Sequence, residues 1–138
     1  MILITGGAFQ GKTAFAKEQF SLHDGDFADG ESCPLERFGE KPALFRLHLL
    51  VRRMLAAGLS EKSIEASVLN GLSDGRCQIV LTDEIGCGVV PMEKSDRIWR
   101  ECVGRLVCKL AEQADTVVLM QCGLPTLLKG ELPGGDAS

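Results

Sequence analysis

The chain has 138 residues, a formal net charge of −4, a sequence pI of about 5.2 and a mean hydropathy of +0.10. This acidity argues against nucleic acid or an anionic membrane as the main partner, and the length allows one globular domain with a single core. No run approaches the ~20 apolar residues that a bilayer span needs, and no basic segment precedes the short apolar start, so a cytoplasmic protein is expected.

Ile2-Leu3-Ile4-Thr5 is a short apolar run ending at glycines and reads as a buried strand. Residues 12–20 are helix formers, with Phe15 and Phe20 expected to face a core. Residues 23–34, rich in Gly and Asp, read as loop. Pro42 is expected to open a helix whose apolar face is Leu44, Leu47, Val51 and Leu55, with Gly58 ending it. Ser60 then fits as the N-cap of a helix carrying Ile64, Val68 and Leu72. Ile79-Val80-Leu81-Thr82 is the second clear strand, and residues 86–91 form a loop. Ser95 or Asp96 is expected to cap a helix over 96–114, where Ile98, Cys102, Leu106 and Leu110 recur every four residues. Thr116-Val117-Val118-Leu119-Met120 is the third strand.

Strands alternating with helices predict an α/β fold, P-loop NTPase-like, with a mostly parallel sheet flanked by helices. A single nucleotide-binding domain is expected over 1–130, with a flexible tail over 131–138. Three clear strands are few for such a sheet. One or two irregular extra strands, or burial against another subunit, should complete it.

The six cysteines contain no C-x-x-C pair, so neither a zinc site nor a thioredoxin-like motif is expected. Cys102, Cys108 and Cys122 read as small hydrophobes in apolar surroundings.

Gly6-Gly7-Ala8-Phe9-Gln10-Gly11-Lys12-Thr13 fits G-x-x-x-x-G-K-T between a predicted strand and a predicted helix. The backbone N–H groups of such a loop wrap a phosphate chain, and the helix N-terminus adds partial positive charge. Lys12 would neutralise the β- and γ-phosphates, and the Thr13 hydroxyl would ligate Mg²⁺. The ligand is GTP or ATP; no N-K-x-D-type guanine reader decides between them.

Asp83-Glu84 follows an apolar strand, where a metal-binding or water-orienting carboxylate is expected beside the loop. Spacing does not choose between the two acids. His48 has two readings, a partly buried core histidine or a nucleophile and phosphate contact beside Arg52 and Arg53. Arg97, at the start of the 96–114 helix, reads as an exposed ion-pair partner or a contact of the site.

Three stretches carry a family resemblance: the strand and loop from Ile2 to Thr13, the run Glu84-Ile85-Gly86-Cys87-Gly88-Val89-Val90-Pro91, and the segment from Gly104-Arg105-Leu106 through Gly123-Leu124-Pro125 to Lys129. Over about half of its length the chain resembles the bifunctional adenosylcobinamide kinase / adenosylcobinamide-phosphate guanylyltransferase enzymes of cobalamin biosynthesis. The middle is shorter than in that family and lacks its D-C-L-T-type strand, while His48 with Arg52-Arg53 is loosely similar to its His-Arg-rich helix. The resemblance implies a P-loop α/β fold, a nucleotide-dependent kinase acting on the corrinoid adenosylcobinamide, guanylyl transfer through a histidine, and a homotrimer. On this reading Lys12, Glu84 and His48 are the expected catalytic residues, and Thr13, Asp83 and Glu84 the expected metal ligands. A P-loop kinase for another small metabolite, or a non-catalytic GTP- or ATP-binding oligomer, are the alternatives.

Overall fold

A computed structural model describes residues 1–85 and 93–132. The sheet has six strands: β1 (Ile2–Gly6), β2 (Phe27–Asp29), β3 (Ala43–Phe45), β4 (Ile79–Asp83), β5 (Thr116–Gln121) and β6 (Leu124–Lys129). Their spatial order is β2-β3-β4-β1-β5-β6, parallel throughout except for the antiparallel β5–β6 pair. The helices are α1 (Lys12–Phe20), α2 (Leu47–Ala56), α3 (Glu61–Leu72) and α4 (Lys94–Gln113).

Strand alternation sorts the core into two layers. Leu3, Leu44, Val80 and Val117 point to one face, where they meet Leu47, Leu50 and Val51 of α2, Ile64 and Val68 of α3, and Cys102, Leu106 and Leu110 of α4. Their neighbours Ile4, Ala43, Leu81 and Val118 point to the other face and pack with Ala16, Phe15 and Phe20 of α1. The fold is therefore the expected α/β, P-loop NTPase-like arrangement, a mostly parallel sheet between helices.

The three expected strands form, and three more join them. The helix predicted from Pro42 starts later, because the Pro42 carbonyl accepts from Gln78 N and Ile79 N and draws the chain into the sheet. Ala43 then pairs with Ile79 and Leu44 with Val80, so Leu44 is a buried strand residue. The turn into α2 is made by Arg46 in the left-handed region, φ 57°. Within the expected 23–34 loop, Phe27–Asp29 pairs with β3. The sixth strand has no buried face to read: it is an edge strand, mostly exposed, and contains Pro125.

Ser60 caps α3 as expected, its hydroxyl accepting from Ser63 N at 3.2 Å. Helix α4 instead begins at Lys94 after Glu93, with no side-chain cap. Cys102 is buried, but Cys108 and Cys122 are exposed, contrary to the apolar reading of their neighbours. Cys108 lies on the outer face of α4, and Cys122 in the β5–β6 turn. The glycine-rich run over 86–91 and residues 133–138 of the expected tail lie outside the described residues, while Leu132 is buried against the α1 layer. No helix among the described residues is long and apolar enough to cross a membrane.

Candidate active site

The candidate site lies at the carboxyl ends of β1, β3 and β4, where an open parallel sheet leaves a crevice. β1 ends at Gly6, which is in register with Asp83 of β4 on one side and Met120 of β5 on the other. Gly6 has φ 149°, and a Cβ there would stand 2.4 Å from the Met120 carbonyl oxygen. Only glycine lets the chain leave the strand this close to its neighbour. The loop ends at Gly11, whose φ of 88° makes the left-handed entry to α1. The loop is tied to the β5–β6 turn, since Gln10 O accepts from Gly123 N at 3.1 Å and Gln10 Oε1 from Cys122 N at 2.5 Å.

Lys12 opens α1 with its side chain folded back under the loop, 9% exposed. Its Nζ lies 2.7 Å from Asp83 Oδ1 and donates to the carbonyls of Gly7 at 2.7 Å and Gly6 at 3.3 Å. The ammonium is thus held between the glycine-rich loop and the β4 acid.

His48 is on the first turn of α2 and its side chain is 7% exposed. Its Nδ1 accepts from Asp83 N at 3.2 Å, and its Nε2 faces Asp83 Oδ2 at 3.4 Å. Accepting at Nδ1 leaves the proton on Nε2, directed at the carboxylate. Burial lowers the His48 pKa, Asp83 pulls it up, and Lys12 and Arg46 push it down, with a net fall. Behind it, Trp99 Nε1 donates to His48 O at 2.7 Å and fixes α4 against the start of α2.

Lys12, Thr13, His48 and Asp83 line one cavity of about 440 Å³ together with Ala8, Phe9, Gln10 and Gly11. That volume is in the range of small-molecule sites. Gly6 and Gly7 are outside the lining and bear on it through the carbonyls that hold Lys12. Glu84 is exposed and outside the lining; its backbone N–H donates to Gly6 O at 2.8 Å. Arg52 and Arg53 are also elsewhere. Arg52 stacks over Trp99 at 4.5 Å and pairs with Asp96, while Arg53 donates to Gly30 O and Cys33 O. Arg97 is exposed.

The lining residues missed from the sequence are Ala14, Phe45, Arg46, Leu49 and Leu81. Arg46 is the charged one among them. Reading Ala43–Phe45 as a parallel strand would have put Arg46 at a carboxyl end, beside the loop. Arg46 Nε donates to Asp29 Oδ1 at 3.0 Å, its Nη2 pairs with Asp29 Oδ2 and with Glu31 Oε2, and its guanidinium lies 5.0 Å from the Phe45 ring centroid. Burial tends to raise the Asp29 carboxyl, but Arg46 and the Glu31 N–H hold it below its ordinary value.

The donors in this cavity are hard oxygens. Thr13 offers a hydroxyl and Asp83 a carboxylate, and among the described residues no cluster of three or more His, Cys, Asp and Glu could hold a metal alone. Such a set suits an ion that shares its ligands with substrate phosphates, as Mg²⁺ does.

A family model described as cobinamide kinase / cobinamide phosphate guanyltransferase matches residues 46–128, more than half of the chain. The matched span begins at Arg46 and contains His48, Asp83 and Glu84, while the glycine-rich loop lies before it. No curated protein matches the chain significantly. The chain belongs to the cobinamide kinase / cobinamide phosphate guanyltransferase family.

Proposed function

We propose that the cleft binds GTP or ATP with Mg²⁺ and transfers the γ-phosphoryl group to the aminopropanol hydroxyl of adenosylcobinamide. The observation that carries this reading is Lys12 Nζ held 2.7 Å from Asp83 Oδ1 beneath the loop of Gly6 to Thr13. A lysine at a helix N-terminus facing a carboxylate at a strand end forms a binding place for a phosphate chain and its cation. The family's kinase and guanyltransferase activities support a nucleotide as co-substrate.

The loop N–H groups and Lys12 bind the β- and γ-phosphates, and Thr13 and Asp83 would hold the ion. When bound, the ion screens phosphate charge. The acceptor oxygen forms a bond to the γ-phosphorus as the bond to the bridging oxygen breaks. The bonding pair stays on the diphosphate, and the hydroxyl proton passes to solvent. Positioned cations that stabilise charge on the transferred group do most of the work in such reactions.

His48 fits a positioning role better than a nucleophilic one. Both of its ring nitrogens face Asp83, and a nucleophile needs one nitrogen free to reach phosphorus. Phosphoryl transfer is therefore favoured over guanylyl transfer through this residue. Glu84, at the start of the glycine-rich run, is assigned to the acceptor or water side of the site. The working protein is a cytoplasmic homotrimer on this reading.

Release of diphosphate that requires both Mg²⁺ and adenosylcobinamide tests the function. Release with another small acceptor, but not with adenosylcobinamide, would move the chain to a different substrate. Binding with no release under any acceptor would make it a nucleotide-binding oligomer.

A further inference from the structure

The cleft contains a second cation besides Lys12. Arg46 follows the carboxyl end of β3 and lines the same cavity as Lys12 and Thr13. Its backbone lies in the left-handed region, φ 57°, which is strained for a non-glycine residue. The side chain is 39% exposed and is held at the cleft by ion pairs with Asp29 and Glu31. Asp29 and Glu31 engage Nε and Nη2, and none of these bonds runs through Nη1. The carboxylates therefore fix the plane of the guanidinium while leaving donors for another acceptor. Arg46 is also near enough to Asp83 for the two charges to interact.

We propose that Arg46 contacts the γ-phosphoryl group of the bound triphosphate and stabilises charge on its oxygens during transfer. The proposal rests on the triphosphate reading of the cleft. Lys12 bears on the phosphate chain from the α1 side, and Arg46 from the β3–α2 side. With Nε and Nη2 anchored by the carboxylates, the Nη1 N–H groups are held in a fixed plane towards phosphate oxygens, which a rotating ammonium cannot reproduce. Arg46 neither gains nor loses a proton; the bonds made and broken are those of the transfer described above. Asp29 and Glu31 act through Arg46 and are positioning residues.

The test compares affinities for a non-hydrolysable triphosphate analogue and for the diphosphate, both with Mg²⁺, in the wild type, Arg46→Ala and Arg46→Lys. Arg46→Ala should bind the triphosphate analogue about tenfold more weakly, hold the diphosphate within about twofold, and lose about a thousandfold in kcat. Arg46→Lys should recover less than about a tenth of the wild-type kcat, because an ammonium cannot hold the carboxylate anchors and present a fixed donor to phosphate at once. Should Arg46→Ala fail to fold, the same affinity ratio in Arg46→Lys decides. Equal weakening of both nucleotides, or no weakening, would overturn the role of Arg46 and leave the nucleotide reading standing. A wild type that binds neither nucleotide would remove both.

Discussion

Lys12 and Asp83 meet across the ends of two adjacent parallel strands, with Nζ 2.7 Å from Oδ1. The same carboxylate faces His48 through its other oxygen, at 3.4 Å. Asp83 therefore joins the glycine-rich loop, the end of β4 and the start of α2, and a change at this one residue should reach all three.

Asp83→Asn keeps the volume and removes the charge. Turnover should fall by about a hundredfold or more, with Mg²⁺ dependence shifted to higher concentration. Glu84→Gln, outside the cavity lining, should cost less. Steady-state rates against Mg²⁺ concentration for the two variants check this, and a larger loss in Glu84→Gln would make Glu84 the leading acid.

His48 should give the fold a pH dependence. Burial lowers its pKa despite the pull of Asp83, with Lys12 and Arg46 adding to the fall. Just below the ordinary value of about 6.5, the unfolded chain binds a proton that the folded chain does not. This contribution to stability is fully present above that value and is lost as pH falls through the lowered folded one. Urea unfolding at about pH 7.5 and about pH 5.5 should show wild type losing stability on acidification, and His48→Gln losing less.

Gly6→Ala would place a methyl group 2.4 Å from the Met120 carbonyl oxygen, at φ 149°. The loop or β5 must then shift. Unfolding free energy should drop by at least ~2 kcal/mol, and nucleotide affinity should fall with it. Thermal unfolding with and without nucleotide measures both, and wild-type values would show that the loop does not need this close approach.

The β6 edge carries Leu124 and Leu128 at 69% and 58% exposure. An exposed apolar edge strand is a natural place for a neighbouring subunit, in keeping with the proposed trimer. Sedimentation at micromolar concentration should give a trimer, and Leu128→Glu should shift it towards monomer. A monomeric wild type would contradict the assembly.

The long elements and the loop were legible in the sequence because their signals are local. Ile2 to Thr5 and Ile79 to Thr82 are continuous apolar runs, and Gly6 to Thr13 is a fixed pattern. β2 and β3 are only three residues each, and their pairing depends on partners far along the chain, such as Ile79 for Ala43. Missing β3 also hid Arg46, since its place in the cleft follows from the strand end and not from helical spacing. The i, i+4 relation of His48 and Arg52 was real, but Trp99 stands against both and draws Arg52 outward to Asp96. The Asp83–Glu84 choice could not be made from neighbours in sequence. It depends on which of the two shares the cavity with Lys12.

The most direct test uses triphosphate labelled at the γ-phosphorus, with Mg²⁺ and adenosylcobinamide, followed by separation of the corrinoid. The account predicts label on the corrinoid with wild-type protein and its loss in Lys12→Ala, with circular dichroism checking that the variant still folds once Asp83 has lost its buried partner. Unlabelled corrinoid with the wild type, or equal labelling by Lys12→Ala, would contradict it.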